Sequence, residues 1–183
     1  MAKKVIVANF ESNAEAYQAF SEVKQLFSKG QLKIEQMAVV KHSNDGDHKF
    51  SIEDFFDPTG SSGTSTGGMI GMLVGVLVSP LAILLGWFGG SLIGATKDAK
   101  ELSTAKNVFE YLVTQISEGK TGLIIIADEK DNRPLNEVVM QELGGGINRF
   151  DFEEVEEEIK SANEVTTKTK ESSLKFWKEK HKE

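Results

Sequence analysis

Gly67 to Thr96 reads GGMIGMLVGVLVSPLAILLGWFGGSLIGAT. With the loop that precedes it from Pro58, this stretch contains no Asp, Glu, Lys, Arg or His, although 27% of the chain is charged. Its small residues are arranged symmetrically. Gly67, Gly71, Gly75 and Ser79 recur at every fourth position, and Ala82, Gly86, Gly90 and Gly94 repeat that spacing beyond Pro80. Each lies as far from the Pro80–Leu81 bond as its counterpart in the other set. Two antiparallel helices that fold back on one turn and meet along their small residues produce this pattern, because glycine lets two backbones approach closely.

Length decides how such a segment can be used. A membrane-spanning helix needs about 20 apolar residues to cross roughly 30 Å of hydrocarbon. The arms Gly67 to Ser79 and Leu81 to Ala95 reach only about 20 and 22 Å at 1.5 Å per residue. One kinked helix over both arms would be long enough, but it would leave the flanking elements on opposite sides of a bilayer. A hairpin returns both ends to the same side, with its tip at Ser79-Pro80, where proline lacks an amide hydrogen and disfavours helix at the preceding residue.

The flanking sequence is that of a water-soluble fold. Lys3 to Phe10 alternates apolar residues on both faces, as in a strand buried on both sides. Ser12-Asn13-Ala14-Glu15 is a capping box, and Ala16, Phe20, Val23 and Phe27 continue it as a helix that Gly30 ends. Leu32 to Lys41 and Lys49 to Phe56 read as strands joined by the turn Asn44-Asp45-Gly46. Beyond the uncharged stretch, Leu102, Ala105, Phe109, Leu112 and Ile116 mark a second amphipathic helix that closes at Gly119. Leu123 to Ala127 is a continuous apolar run, expected at the centre of a sheet.

The order strand-helix-strand-strand-helix-strand predicts an α+β, ferredoxin-like (βαββαβ) sheet. The uncharged hairpin is then an insertion between the third strand and the second helix. Residues 1–57 and 97–152 form the expected discontinuous domain, and residues 58–96 the glycine-rich neck and hairpin. Pro134 to Leu143 reads as a short helix, and Ile147 to Phe152 as a fifth strand decorating the sheet. Residues 153–183 form a charged helical tail with a weak stripe at Val155, Ile159 and Ala162.

Composition narrows the function. The net charge of -7 and a pI near 5.1 exclude nucleic-acid binding, which needs a clustered basic surface. Without cysteine there is neither a disulfide framework nor a thiolate metal site. Met1 to Val7 runs into a strand and does not read as a secretory signal. The mean hydropathy of -0.26 describes a soluble chain carrying one very apolar segment.

The Val5-Ile6-Val7-Ala8 strand, the Asn44-Asp45-Gly46 turn and the run from Gly67-Gly68 through Pro80 to Gly94-Ala95 together resemble a known family. It is a group of uncharacterised bacterial proteins labelled predicted membrane or general-stress-like proteins, with a ferredoxin-like domain interrupted by a glycine-zipper hairpin. The resemblance covers about Lys3 to Phe152. It implies bacterial origin, membrane association and self-assembly, and it brings no catalytic residues.

Other candidates for chemistry are weak. Gly60 to Gly68 lacks the lysine that closes a phosphate-binding loop and reads as a flexible neck. His42 and His48 flank a turn and read as solvated residues, as does Asp128-Glu129-Lys130-Asp131. Leu174 to Lys178, with Phe176 and Trp177, is an aromatic and basic cluster suited either to an anionic membrane surface or to a neighbouring subunit.

The expected function is therefore non-enzymatic. The chain reads as a homo-oligomer whose hairpin inserts from the cytoplasmic side of the cell membrane, with the lipid bilayer and other copies of itself as partners. No cofactor, metal or specific small molecule is implied. Gly67, Gly71, Gly75, Ser79, Ala82, Gly86, Gly90 and Gly94 are the expected packing positions. Leu73, Leu77, Leu81, Leu84, Leu85, Trp87, Phe88 and Trp177 are the expected membrane contacts. The alternative is a cytoplasmic oligomer in which the hairpins form a buried protein core, with a sensing or binding role.

Overall fold

The computed structural model describes residues 3–44, 49–60, 68–78, 108–164 and 179. Its elements are β1 (Lys3–Asn9), α1 (Asn13–Ser28), β2 (Lys33–His42), β3 (Phe50–Phe56), α2 (Gly68–Val78), α3 (residues 108–115) and β4 (Thr121–Asp128). They continue with α4 (Arg133–Asn136), a π-helical turn over Glu137–Glu142, β5 (Gly146–Asp151) and α5 (residues 152–164). The fold is mixed α+β, with one five-stranded sheet in the order β3-β2-β4-β1-β5 and every neighbouring pair antiparallel.

That order corrects the strand assignment expected from the sequence. A βαββαβ sheet built from the first four strands places the third between the first and second. Here β3 is an edge strand paired only with β2, and β4 takes the inner position between β2 and β1. Composition explains the exchange. β4, TGLIIIAD, buries seven consecutive residues and suits a site covered on both faces. β3, FSIEDFF, exposes Ser51, Glu53 and Asp54 and suits an edge that charge protects from further pairing. The fifth strand belongs to the sheet rather than decorating it, since β5 pairs with β1 along its length.

Helices cover both faces. On one, α1 and α4 pack on Ile6, Ala8, Ile34, Met37, Val39, Leu123, Ile125 and Ala127. On the other, α2, α3 and α5 share a core with Val5, Val7, Ala38, Val40, Ile124 and Ile126. Alternation along β1 and β4 supplies both faces at once. α1 begins as expected: Ser12 Oγ accepts from the Glu15 N–H at 3.3 Å, and Glu15 Oε2 accepts from the Ser12 N–H at 3.2 Å.

Two further expectations change. The short helix after Pro134 widens at Glu137 into a π turn, with the Leu143 N–H donating to the Val138 carbonyl at 3.2 Å. Val138 and Val139, adjacent in sequence, are both buried there. The chain from Glu153 is also no detached tail at its start. Val155, Ile159 and Ala162 of α5 are each at most 2% exposed, so residues 152–164 belong to the packed body.

Candidate functional site

The first arm of the uncharged stretch lies on the protein's own sheet. α2 reads GMIGMLVGVLV, apolar all round, and an isolated helix of this kind has no preferred side. The sheet provides one. Met69, Ile70, Leu73, Val74, Val76 and Leu77 are buried in the core that includes Ala38, Val40, Phe50, Ile124 and Ile126. The opposite side carries Gly75, Met72 and Val78, with Met72 43% and Val78 42% exposed. Gly71 is half-buried at its margin.

A hydrogen bond fixes where the helix starts. The first N–H groups of any helix lack partners within it. Here the Ile70 N–H donates to Oε1 of Gln36 on β2 at 3.3 Å, and Gln36 is itself only 6% exposed. A β-bulge brings the glutamine to this face. Ile34 pairs with Ala127 and Gln36 with Ile126, so Glu35 is an extra residue in β2. Without the bulge, Gln36 would share the face of Ile34, on the α1 side of the sheet. Lys3 holds the extra residue, with its ammonium 2.9 Å from the Glu35 carboxylate.

Gly68 completes the junction. Its φ of +75° is one that side chains rarely adopt, and a Cβ built there would lie 2.1 Å from Nε2 of Gln36. Gly75 is the opposite case, since an added Cβ meets nothing within 4 Å. The one glycine lets the helix enter, and the other leaves its outer side open.

Leu73 and Leu77 were expected to touch lipid. They are 0% and 1% exposed and face the sheet, so in this arrangement they are core residues. Gly67, Ser79, Pro80, Ala82, Gly86, Gly90 and Gly94 lie outside the described residues, as do Leu81, Leu84, Leu85, Trp87, Phe88 and Trp177. No helix among the described residues is long and apolar enough to cross a membrane.

Other polar groups also differ from their sequence reading. His42 is buried rather than solvated. Its Nδ1 lies 2.6 Å from the Ile116 carbonyl and therefore carries the proton, while the ring stacks on Phe50 at 4.6 Å. Glu129 is no free turn residue either. Its carboxylate takes a two-pronged pair from Arg149, Nε to Oε2 at 2.5 Å and the second nitrogen to Oε1 at 2.7 Å, with the Glu129 side chain 5% exposed. His48 falls outside the described residues. A groove of about 700 Å³ between α1 and α4 is lined by Glu22, Lys29, Asp131, Arg133, Glu137 and Glu142, among others. Two pairs form among its groups. Arg133 grips Asp131 and holds that carboxyl below its ordinary range, while a hydrogen bond to Glu22 holds Glu142 above it. Among the described residues, no group of three or more His, Asp or Glu is placed to hold a metal ion.

No protein-family model, no curated protein and no solved structure matches the chain. The candidate site therefore stands on its own geometry: a helix bolted to the sheet by one side and offering glycine, methionine and valine on the other. Gln36 and Gly68 were not singled out from the sequence. The available signal was a break in alternation, two polar residues, Glu35 and Gln36, inside the otherwise apolar strand around Ile34 and Met37.

Proposed function

We propose that the chain is a non-enzymatic, self-associating protein in which α2 is the fixed half of a helix-to-helix contact. One observation carries this reading: the same eleven-residue helix is buried against the sheet on one side and exposes small and apolar residues on the other. Glycine in a water-exposed helix costs about 1 kcal/mol against alanine. At Gly75 no close neighbour requires it, whereas close approach by a second helix does. The mirrored arm Ala82 to Gly94 is the matching surface, from the same chain or from another copy, and homo-oligomers form where arms are shared between copies.

A ferredoxin-like core is part of the same proposal, with a different strand membership from that first expected. β1, α1, β2 and then β4, α4, β5 repeat strand-helix-strand, and their strands lie in the order β5-β1-β4-β2. This is the interlocked arrangement of two split βαβ units. On this reading β3, α2 and α3 belong to one long insertion between the second and third core strands, and α2 and α3, with α5, cover the face such a core leaves open.

The experiment is sedimentation of the full chain in detergent-free buffer over roughly a hundredfold concentration range, about 2.7 kcal/mol of association free energy. A discrete oligomer supports the reading, and a monomer throughout contradicts it. A membrane-bound form is the second reading, favoured by the absence of charge over residues 58–96 and by the exposed Met72 and Val78. The bilayer on the cytoplasmic side of the cell membrane would then receive the outer side of α2 and the second arm. Carbonate-resistant pelleting with phospholipid vesicles supports it; an oligomer that stays in the supernatant removes the membrane from the account.

A further inference from the structure

α5 packs by one side on the core it shares with α2 and α3, and it carries one buried carboxyl there. Asp151 caps it, with Oδ1 accepting from the Glu153 N–H at 3.0 Å and the Glu154 N–H at 3.4 Å. Its packed side is Val155, Ile159 and Ala162, and Glu158 falls on that same side, only 8% exposed. Oε2 of Glu158 is buried and has no hydrogen-bond partner. An unpaired carboxylate in apolar surroundings is costly, whereas the neutral acid is tolerated far better.

We propose that α5 is a pH-released clasp over the apolar sheet face it shares with α2 and α3, closed when Glu158 is uncharged and loosened when it ionises.

Among the described residues, the surroundings offer the charge little relief. α2 carries no charged residue. On the sheet, Lys3 is committed to Glu35 and stands 4.5 Å from the Phe152 ring centre, and Asp128 has the same sign as Glu158. From α3, Glu110 and Tyr111 line a groove with Glu154 and with Arg149 and Asp151 of β5; they supply like charges, a phenol and one guanidinium, and that guanidinium is held by the Glu129 carboxylate. Burial pushes the Glu158 carboxyl up to about 7, and the neighbouring charge of Glu154 adds to the effect. In the released helix the carboxyl returns to its ordinary value of 4.5. Docking is therefore full below the ordinary carboxyl range, and it weakens as pH rises through about 7. A shift of this size changes the docking equilibrium on the order of a hundredfold. Opening uncovers part of the core around Val5, Val7, Ile124 and Ile126, whichever partner then meets it.

The test is NMR of the full chain from about pH 3 to 9, a range chosen to bracket both the ordinary carboxyl value and neutral pH. It follows the Glu158 carboxyl carbon and the methyl groups of Val155 and Ile159. The expected result is a common midpoint near 7 for all three residues, with methyl signals moving toward solvent-exposed positions as pH rises. In Glu158→Gln, and in Glu158→Met as a second variant of similar volume, the methyl signals should stay fixed. Methyl signals that ignore the Glu158 titration, a Glu158 midpoint in the ordinary carboxyl range, or the same methyl movement in both variants would each overturn the proposal.

Discussion

Gln36 and Ile70 are joined across the sheet face by a 3.3 Å hydrogen bond that ties α2 to β2. Thirty-four residues separate them in sequence, and a bulged Glu35 is what turns the glutamine toward the helix. Replacing Gln36 with Ala leaves the Ile70 N–H buried without its acceptor. The expected loss is about 1–3 kcal/mol. Urea unfolding checks it, and an unchanged midpoint would mean that the bond does not anchor α2.

Gly68→Ala should cost more than Gly60→Ala. Both glycines have positive φ, +75° and +61°, so both variants suffer the backbone strain, about 1–2 kcal/mol. Only at Gly68 does the new methyl also meet the Gln36 amide, while at Gly60 the space is open. Comparing the two midpoints isolates the collision from the strain.

Leu73→Ala and Leu77→Ala should each destabilise the folded chain by about 2–5 kcal/mol, because each removes a fully buried side chain. Met72→Ala, on the exposed side, should change stability by less than about 1 kcal/mol. Similar small effects at all three positions, measured by denaturant unfolding, would show that α2 is not part of the core.

Much of the fold was legible before any coordinates. The capping box at Ser12 and the central placement of Leu123 to Ala127 follow from local chemistry that tertiary contacts did not override. Which strand sits beside which was not legible, because β3 and β4 are both acceptable strands and only their different tolerance of burial sorts them. At the site, the glycine spacing pointed to a helix with a small-residue side. A periodic pattern with leucine or valine at nearly every other position carries no sign of which side is buried. That information resides in Gln36, whose direction depends on a one-residue bulge; the polar pair Glu35 and Gln36 breaks the alternation there but does not say to which face the glutamine turns.

Arg149→Ala should destabilise by about 3 kcal/mol, since it strands the Glu129 carboxylate in a site where its side chain is 5% exposed. Replacing both members by uncharged residues, Glu129→Gln with Arg149→Met, should recover part of that loss. A double-mutant cycle measured by thermal unfolding reads the coupling, and additive single effects would show that the pair contributes nothing as a pair.

The central claim is that the outer side of α2 exists to receive another helix, and Gly75→Leu tests it most directly. The space around Gly75 is open, and leucine is the better helix former, so the unfolding midpoint should hold or rise slightly. The bulkier side chain should nevertheless keep a second helix at a distance. Analytical ultracentrifugation of the wild type and Gly75→Leu at equal concentration should show a smaller assembly, or a dissociation constant raised at least tenfold, about 1.4 kcal/mol. Unchanged assembly in a variant of unchanged stability would contradict the account.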